Sequence, residues 1–319
     1  MEDRPMTTAS DTEPAAHPAR PHAAGVALCL LSAAGFGAMA IFGKLAYEDG
    51  VGTLQLLLVR FALATLIFAA ILAVAPGQVA AARRAARRAV LVGLALGAIG
   101  YATQAGLYFA ALRRLDASLL ALVLYTYPAW VTLAAFALGR ERLDGRRIAA
   151  LALASAGLAI VLLGAGGGAL DAAGVAMGLG AALAYTVYIL VADRTGPALP
   201  PLVLSTLVCA GATLTFTLAQ ALSAGAELGV EGQAWLWLGL IALVSTALPI
   251  VTFFAGLARV GPSAASILST FEPVVTVGLA YLAFSERLSA LQLGGALLVL
   301  AAAVLLATPA GSRERVPAA

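Results

Sequence analysis

Two charged side chains stand inside long apolar runs of this sequence, Arg60 in TLQLLLVRFALATLIF and Glu272 in SILSTFEPVVTVGL. In such surroundings a guanidinium binds anions, and a carboxylate binds cations or takes up a proton. Both are costly to hold there, so they mark functional positions by default. A second set is Tyr101, Gln104 and Tyr108. Their i, i+3, i+7 spacing puts them on one face of a helix. Apolar bodies with a few hydrogen-bonding tips suit the wall of a cavity for a small molecule. Tyr125 and Tyr127 precede Pro128, and Tyr185 and Tyr188 share a face at i and i+3 with Phe36 and Met39 as their counterparts in register. The two histidines, His17 and His22, sit near the N-terminus, and Cys29 and Cys209 lie in apolar runs. No metal set, disulfide framework or cofactor is expected.

The elements that position these residues follow from composition. Of the 319 residues, 62% are hydrophobic and 11% charged, with mean hydropathy +0.97; ordinary soluble domains run at roughly 45–50% and 25%. So few charges cannot clothe so much apolar surface in water. A net charge of +3 over this length is no basic patch, which argues against a nucleic-acid partner. Ten apolar stretches have the length of a membrane-crossing helix: 24–46, 53–75, 89–112, 117–139, 148–164, 174–192, 201–223, 235–258, 263–285 and 290–308. The fold class expected is an all-α integral membrane protein, since strands of a barrel would be half as long. Residues 1–22 and 309–319 read as cytoplasmic tails. Asp116 is placed to cap the fourth span, and Pro262 falls in the first turn of the ninth.

Charge orients the spans. With the N-terminus inside, fourteen basic residues fall on the cytoplasmic side and Arg113, Arg114 and Arg287 on the other, leaving Lys44 and Arg60 within spans. That asymmetry puts both termini in the cytoplasm, with Trp235 and Trp237 at the outer interface. Lys44, near the outer end of the first span, reads as a snorkelling lysine, with a gate position as the alternative. Arginine supplies all basic residues but one, a bias typical of GC-rich bacterial coding, so the expected location is a bacterial inner membrane.

The chain repeats itself. A shift of 145 carries Ser118 onto Ser263, Pro128 onto Pro273 and Glu141-Arg142-Leu143 onto Glu286-Arg287-Leu288, and takes Tyr101, Gln104 and Tyr108 to Thr246, Pro249 and Phe253. A shift of 149 aligns Gly25-Val26-Ala27 with Gly174-Val175-Ala176. Each copy, 23–165 and 173–308, holds five spans. An odd number makes the second copy enter the membrane from the opposite side, an inverted repeat of the kind found in secondary transporters.

Leu124-Tyr125-Thr126-Tyr127-Pro128 followed by Gly139-Arg140-Glu141-Arg142-Leu143 resembles the signature of the EamA domain of the drug/metabolite transporter superfamily. So does Phe271-Glu272-Pro273 followed by Ser285-Glu286-Arg287-Leu288 and Gln292-Leu293-Gly294-Gly295, with serine at 285 where glycine is more usual. Val59-Arg60-Phe61 resembles the family's early arginine. The resemblance covers about 23–308. It implies a ten-helix carrier with export as the direction many relatives share and no fixed substrate, since members carry amino acids, metabolites, nucleotide sugars or drugs. Gly43-Lys44 lacks the upstream glycine and following Ser/Thr of a P-loop, so no ATP site is expected. Small-molecule substrate and membrane lipid are the partners expected, and a homodimer is left open.

Helix rise places Glu272 about 14 Å from the cytoplasmic end of its span and Arg60 about 19 Å from the same surface. Their difference in depth is within side-chain reach, so the two either pair or face one central cavity. Pro128, Pro273 and Pro249 are expected to kink their helices and free carbonyls for other partners. Gly35-Phe36-Gly37-Ala38-Met39-Ala40 matches a dinucleotide fingerprint but lacks the preceding strand; its small residues, like Gly93/Gly97 and Gly174/Gly178, suit close helix approach. The rival reading is a membrane enzyme acting on lipid. It is disfavoured because such chemistry needs clustered carboxylates or histidines, and Glu272 stands alone at depth.

Overall fold

The computed structural model describes residues 20–84, 86–139, 143–164, 171–195, 199–223, 229–230, 232–260 and 262–307. The tails before residue 20 and after 307 lie outside these. So do Glu141 and Arg142 of the first triplet copy and the glycine-rich link at 165–170. Among the described residues ten helices are long and apolar enough to cross a membrane, and they are numbered α1 to α10 here. They are α1 (Ala23–Glu48), α2 (Thr53–Ala73), α3 (Arg87–Leu112), α4 (Ala117–Ala137), α5 (Gly145–Gly164), α6 (Ala172–Ala192), α7 (Pro201–Leu222), α8 (Ala234–Val260), α9 (Ile267–Phe284, its helix starting at Pro262) and α10 (Ala290–Ala307). Each matches a span expected from the sequence to within a few residues. The protein is a multi-pass membrane protein.

Glycines let the helices meet. A Cβ at Gly97 of α3 would lie 2.0 Å from the Val208 carbonyl oxygen of α7, and one at Gly37 of α1 would lie 2.7 Å from that of Glu272. Backbone cannot yield as a side chain does. Gly97→Ala is therefore expected to destabilise the fold by about 1–3 kcal/mol, whereas Gly239→Ala, with nothing within 4 Å, leaves it unchanged. Thermal unfolding of the two variants in detergent checks this.

The repeats pack as counterparts. α1 lies against α8 and α9, while α6 lies against α3 and α4; α2 and α7 meet each other. On α2 and α7, Thr65 and Thr213 bring their hydroxyls to 3.3 Å, and Phe61 stacks on Phe216 with ring centres 5.7 Å apart. α5 and α10 form a pair in which Gly157 and Gly295 each face the other's carbonyl.

Several spans are interrupted at mid-length. α4 consists of Ala117–Leu124 and Tyr127–Ala137, and α9 of Pro262–Ser269 and Glu272–Phe284. Pro128 and Pro273 are not kinks inside continuous helices, as expected, but occupy the second position of a new half-helix. There the missing N–H has no intrahelical partner to lose. Thr126 and Thr270 fold their hydroxyls onto the carbonyls of Val123 and Ile267, which also accept the backbone N–H groups of the same two threonines. α1 is broken at Ala38. α3 and α8 carry one π-helical stretch each, Leu96–Tyr101 and Leu243–Ala247, with Pro249 just beyond the second. The extra residue in such a turn is a signal that period-3.6 reading of a sequence does not detect.

Candidate functional site

Arg60 of α2 is 1% exposed. Its Nε donates to Thr246 Oγ1 at 3.0 Å and its Nη2 to the Tyr101 hydroxyl at 3.4 Å, while the guanidinium lies over the rings of Phe61 and Phe109. Tyr101 and Thr246 are the residues that the 145 shift superposes, and each belongs to a π-helical stretch. One arginine is thus held by equivalent positions of both repeats. Its partners are neutral. The ion pairs formed between described residues are Lys44–Asp116, Lys44–Glu286 and Arg114–Asp171, so Arg60 and Glu272 do not pair as one sequence reading expected.

Glu272 opens the second half of α9, where the positive end of the helix dipole favours an acidic side chain. It remains partly exposed. The Tyr125 hydroxyl, from the break in α4, donates to the Ser269 carbonyl freed by the break in α9 and lies 3.5 Å from Glu272 Oε2. Among the described residues Glu272 Oε1 has no donor. Thr276 fixes the neighbourhood by bonding the Gly37 carbonyl at the break in α1.

A run of rings joins the two charges. Phe61 meets Tyr101 at 5.5 Å, Tyr101 meets Tyr188 at 5.5 Å, and Tyr188 meets Tyr185 at 6.0 Å. Tyr185 meets Tyr127 at 4.8 Å, and Tyr127 meets Tyr125 at 5.7 Å. Tyr101, Tyr127, Tyr185 and Tyr188 are partly exposed although they lie at mid-depth. Of the other residues singled out in the sequence, Gln104 is 9% exposed with no hydrogen bond to the described residues, and Tyr108 packs edge-on to Phe109. Phe253 lies apart from the ring run, against Phe254, and Pro249 gives its carbonyl to the Ser32 hydroxyl. The geometry joins the buried arginine to the carboxylate of Glu272 through one continuous run of aromatic rings.

A second polar cluster, missed in the sequence, lies at one end of the molecule. Glu286 accepts Lys44 Nζ at 2.6 Å, the backbone N–H groups of Ala117 and Ser118 at 3.1 and 3.0 Å, and the Ser118 hydroxyl at 2.9 Å. Lys44 therefore does not snorkel into solvent. Asp116 occupies the cap position of α4 but makes no capping bond, because Glu286 from the turn after α9 does so instead. Burial pushes the Glu286 carboxyl up, but Lys44 and the Ser118 donors outweigh it and hold the group below the usual glutamate range. A carboxyl lowered in the folded state stabilises it above its ordinary pKa, and that contribution is lost as pH falls through the lowered value. The difference in melting temperature between the wild type and Glu286→Gln is thus expected to be constant between about pH 6 and 8 and to shrink only in strong acid.

The EamA-like transporter family model matches residues 23–163 and again residues 172–308. The chain belongs to the EamA-like transporter family. The two EamA matches coincide with the five-helix repeats and leave only the tails and the link between repeats uncovered. The chain is also similar to a solved protein crystal structure at 20% sequence identity and TM-score 0.63, covering 89% of this chain and 96% of that one, which shows the fold alone. No curated protein matches. Family membership makes the chain a relative of drug and metabolite transporters, and the EamA repeats place Arg60 and Glu272 in opposite halves.

Proposed function

We propose that this protein is a secondary transporter of small metabolites, amino acids among them, working by alternating access of two inverted five-helix repeats. Its setting in this reading is the bacterial inner membrane, with both termini cytoplasmic and export as the direction. The observation that carries it is the central site: Arg60 bonded to repeat-equivalent Tyr101 and Thr246, facing across aromatic rings the half-helix that begins at Glu272. Discontinuous helices meeting at mid-membrane between two repeats are how carriers bind charged solutes without exposing backbone to lipid. A solute with groups of both charges and an apolar body complements such a site. Five spans per repeat, an odd number, and the contact of α2 with α7, the second span of each repeat, support the inverted arrangement.

The test is transport by purified protein in vesicles. Solute movement that collapses when its own gradient or a proton gradient is dissipated supports a carrier. Product formation without net movement across the membrane supports a lipid-modifying enzyme instead.

A further inference from the structure

Ser32, Thr126, Thr186 and Thr252 are buried inside spans and spend their hydroxyls on carbonyls. One face of α3 does not follow that rule. Gln104 is 9% exposed and Tyr108 8%, yet neither the Gln104 amide nor the Tyr108 hydroxyl bonds to a described residue. These atoms are not sealed off. Ser245 Oγ is fully buried without a partner, whereas the amide and the phenol keep access to the space beside them. Arg60 donates through Nε and Nη2 and leaves Nη1 with no acceptor among the described residues. Gln104 stands one helical turn from Tyr101 and one from Tyr108, and both tyrosines lie within electrostatic reach of Arg60 and of Glu272. The unspent polar ends therefore share one helical face on which both charges act.

We propose that Gln104 is the specificity-determining residue of the central site, and that the solute it selects combines a carboxylate with a neutral planar amide. An amino acid with a carboxamide side chain is the simplest member of that class. The inference rests on the transport reading above and names a substrate class within it. A primary amide donates and accepts along one edge. Another amide satisfies it completely, giving an N–H to Gln104 Oε1 and accepting from Nε2. A carboxylate sets its charge against Oε1, and an ammonium sets its charge against the Nε2 hydrogens. An apolar side chain leaves both atoms dry and unbonded, which is unfavourable. Gln55 and Gln292 show the contrast. Each lies at a helix start and spends its oxygen on a backbone N–H, of Gly52 and Ser289 respectively. Inside α3 the backbone N–H groups are taken by the helix, so Gln104 finds no such partner. Arg60 Nη1 is free to receive the carboxylate of the same solute, and the flat amide group suits the ring faces of the tyrosine run.

The experiment is uptake by proteoliposomes from an equimolar mixture of L-glutamine and L-norleucine, which are similar in length, with other amino acids and small metabolites, read by mass spectrometry of the lumen. The wild type is expected to take up glutamine at least about tenfold faster than norleucine, the effect of one buried polar group left unpaired. Gln104→Met keeps the shape and is expected to bring that ratio close to one. Its melting temperature in detergent is expected to be unchanged or raised, because the amide it removes has no partner to lose. Gln104→Leu repeats the test if Gln104→Met does not fold. A wild type that moves other solutes without preferring glutamine to norleucine overturns the inference, and so does a preference that survives in the variants. A fall of several degrees in the melting temperature of Gln104→Met makes the amide a structural part and overturns it too. Each of these results leaves the transport reading standing. Movement of no compound at all removes that reading, and the inference with it.

Discussion

Replacing Glu272 by glutamine is expected to lower transport by at least about tenfold and to flatten its dependence on pH. Glutamine has the same shape and still reaches Tyr125, so packing around the break in α9 is kept. What it loses is the charge, and with it the ability to bind a cation or carry a proton. Among the described residues Glu272 is the one acid in the middle of a span, one of its two oxygens has no donor, and it sits where α1, α4 and α9 are all interrupted. Initial rates in proteoliposomes across a range of pH check this. Unchanged rates with an unchanged pH profile would remove Glu272 from both cargo binding and coupling.

Arg60→Met is expected to abolish transport while leaving the melting temperature unchanged or raised. A guanidinium without a carboxylate, 1% exposed, pays a desolvation cost that two neutral hydroxyls and two aromatic faces only partly offset. Methionine fills similar space, and Thr246 keeps its bond to the Ile241 carbonyl. A destabilising group held in place by both repeats points to a role in handling an anion. The converse result, a large fall in stability with transport retained, would make Arg60 a structural strut. Arg60→Lys, which keeps the charge but not the planar fork, is expected to fall between wild type and Arg60→Met.

The spans, their order and the two repeats were legible in the sequence because lipid demands long apolar helices and because prolines and the Glu-Arg-Leu triplet recur at one spacing. That Arg60 and Glu272 stand inside spans was legible for the same reason. Their separation was not. Lateral placement of α2 and α9 depends on packing, and the rings of Tyr101, Tyr127, Tyr185 and Tyr188 fill the space between them. The prolines pointed to bends, but half-helices that restart at Tyr127 and Glu272 after two-residue breaks are a local choice that proline spacing does not specify. Glu286 was read only as part of a repeated triplet. Its role depends on the left-handed Ser285, whose conformation a serine rarely adopts and so does not advertise.

The central claim is that the level of Arg60 and Glu272 binds the transported solute. Its most direct test is mass spectrometry of the vesicle lumen after incubating reconstituted protein in a defined mixture of amino acids and other small metabolites. The account predicts that at least one zwitterionic compound enters wild-type vesicles and is excluded from vesicles carrying Arg60→Met. Entry of the same compounds, at the same rates, with both proteins would contradict it.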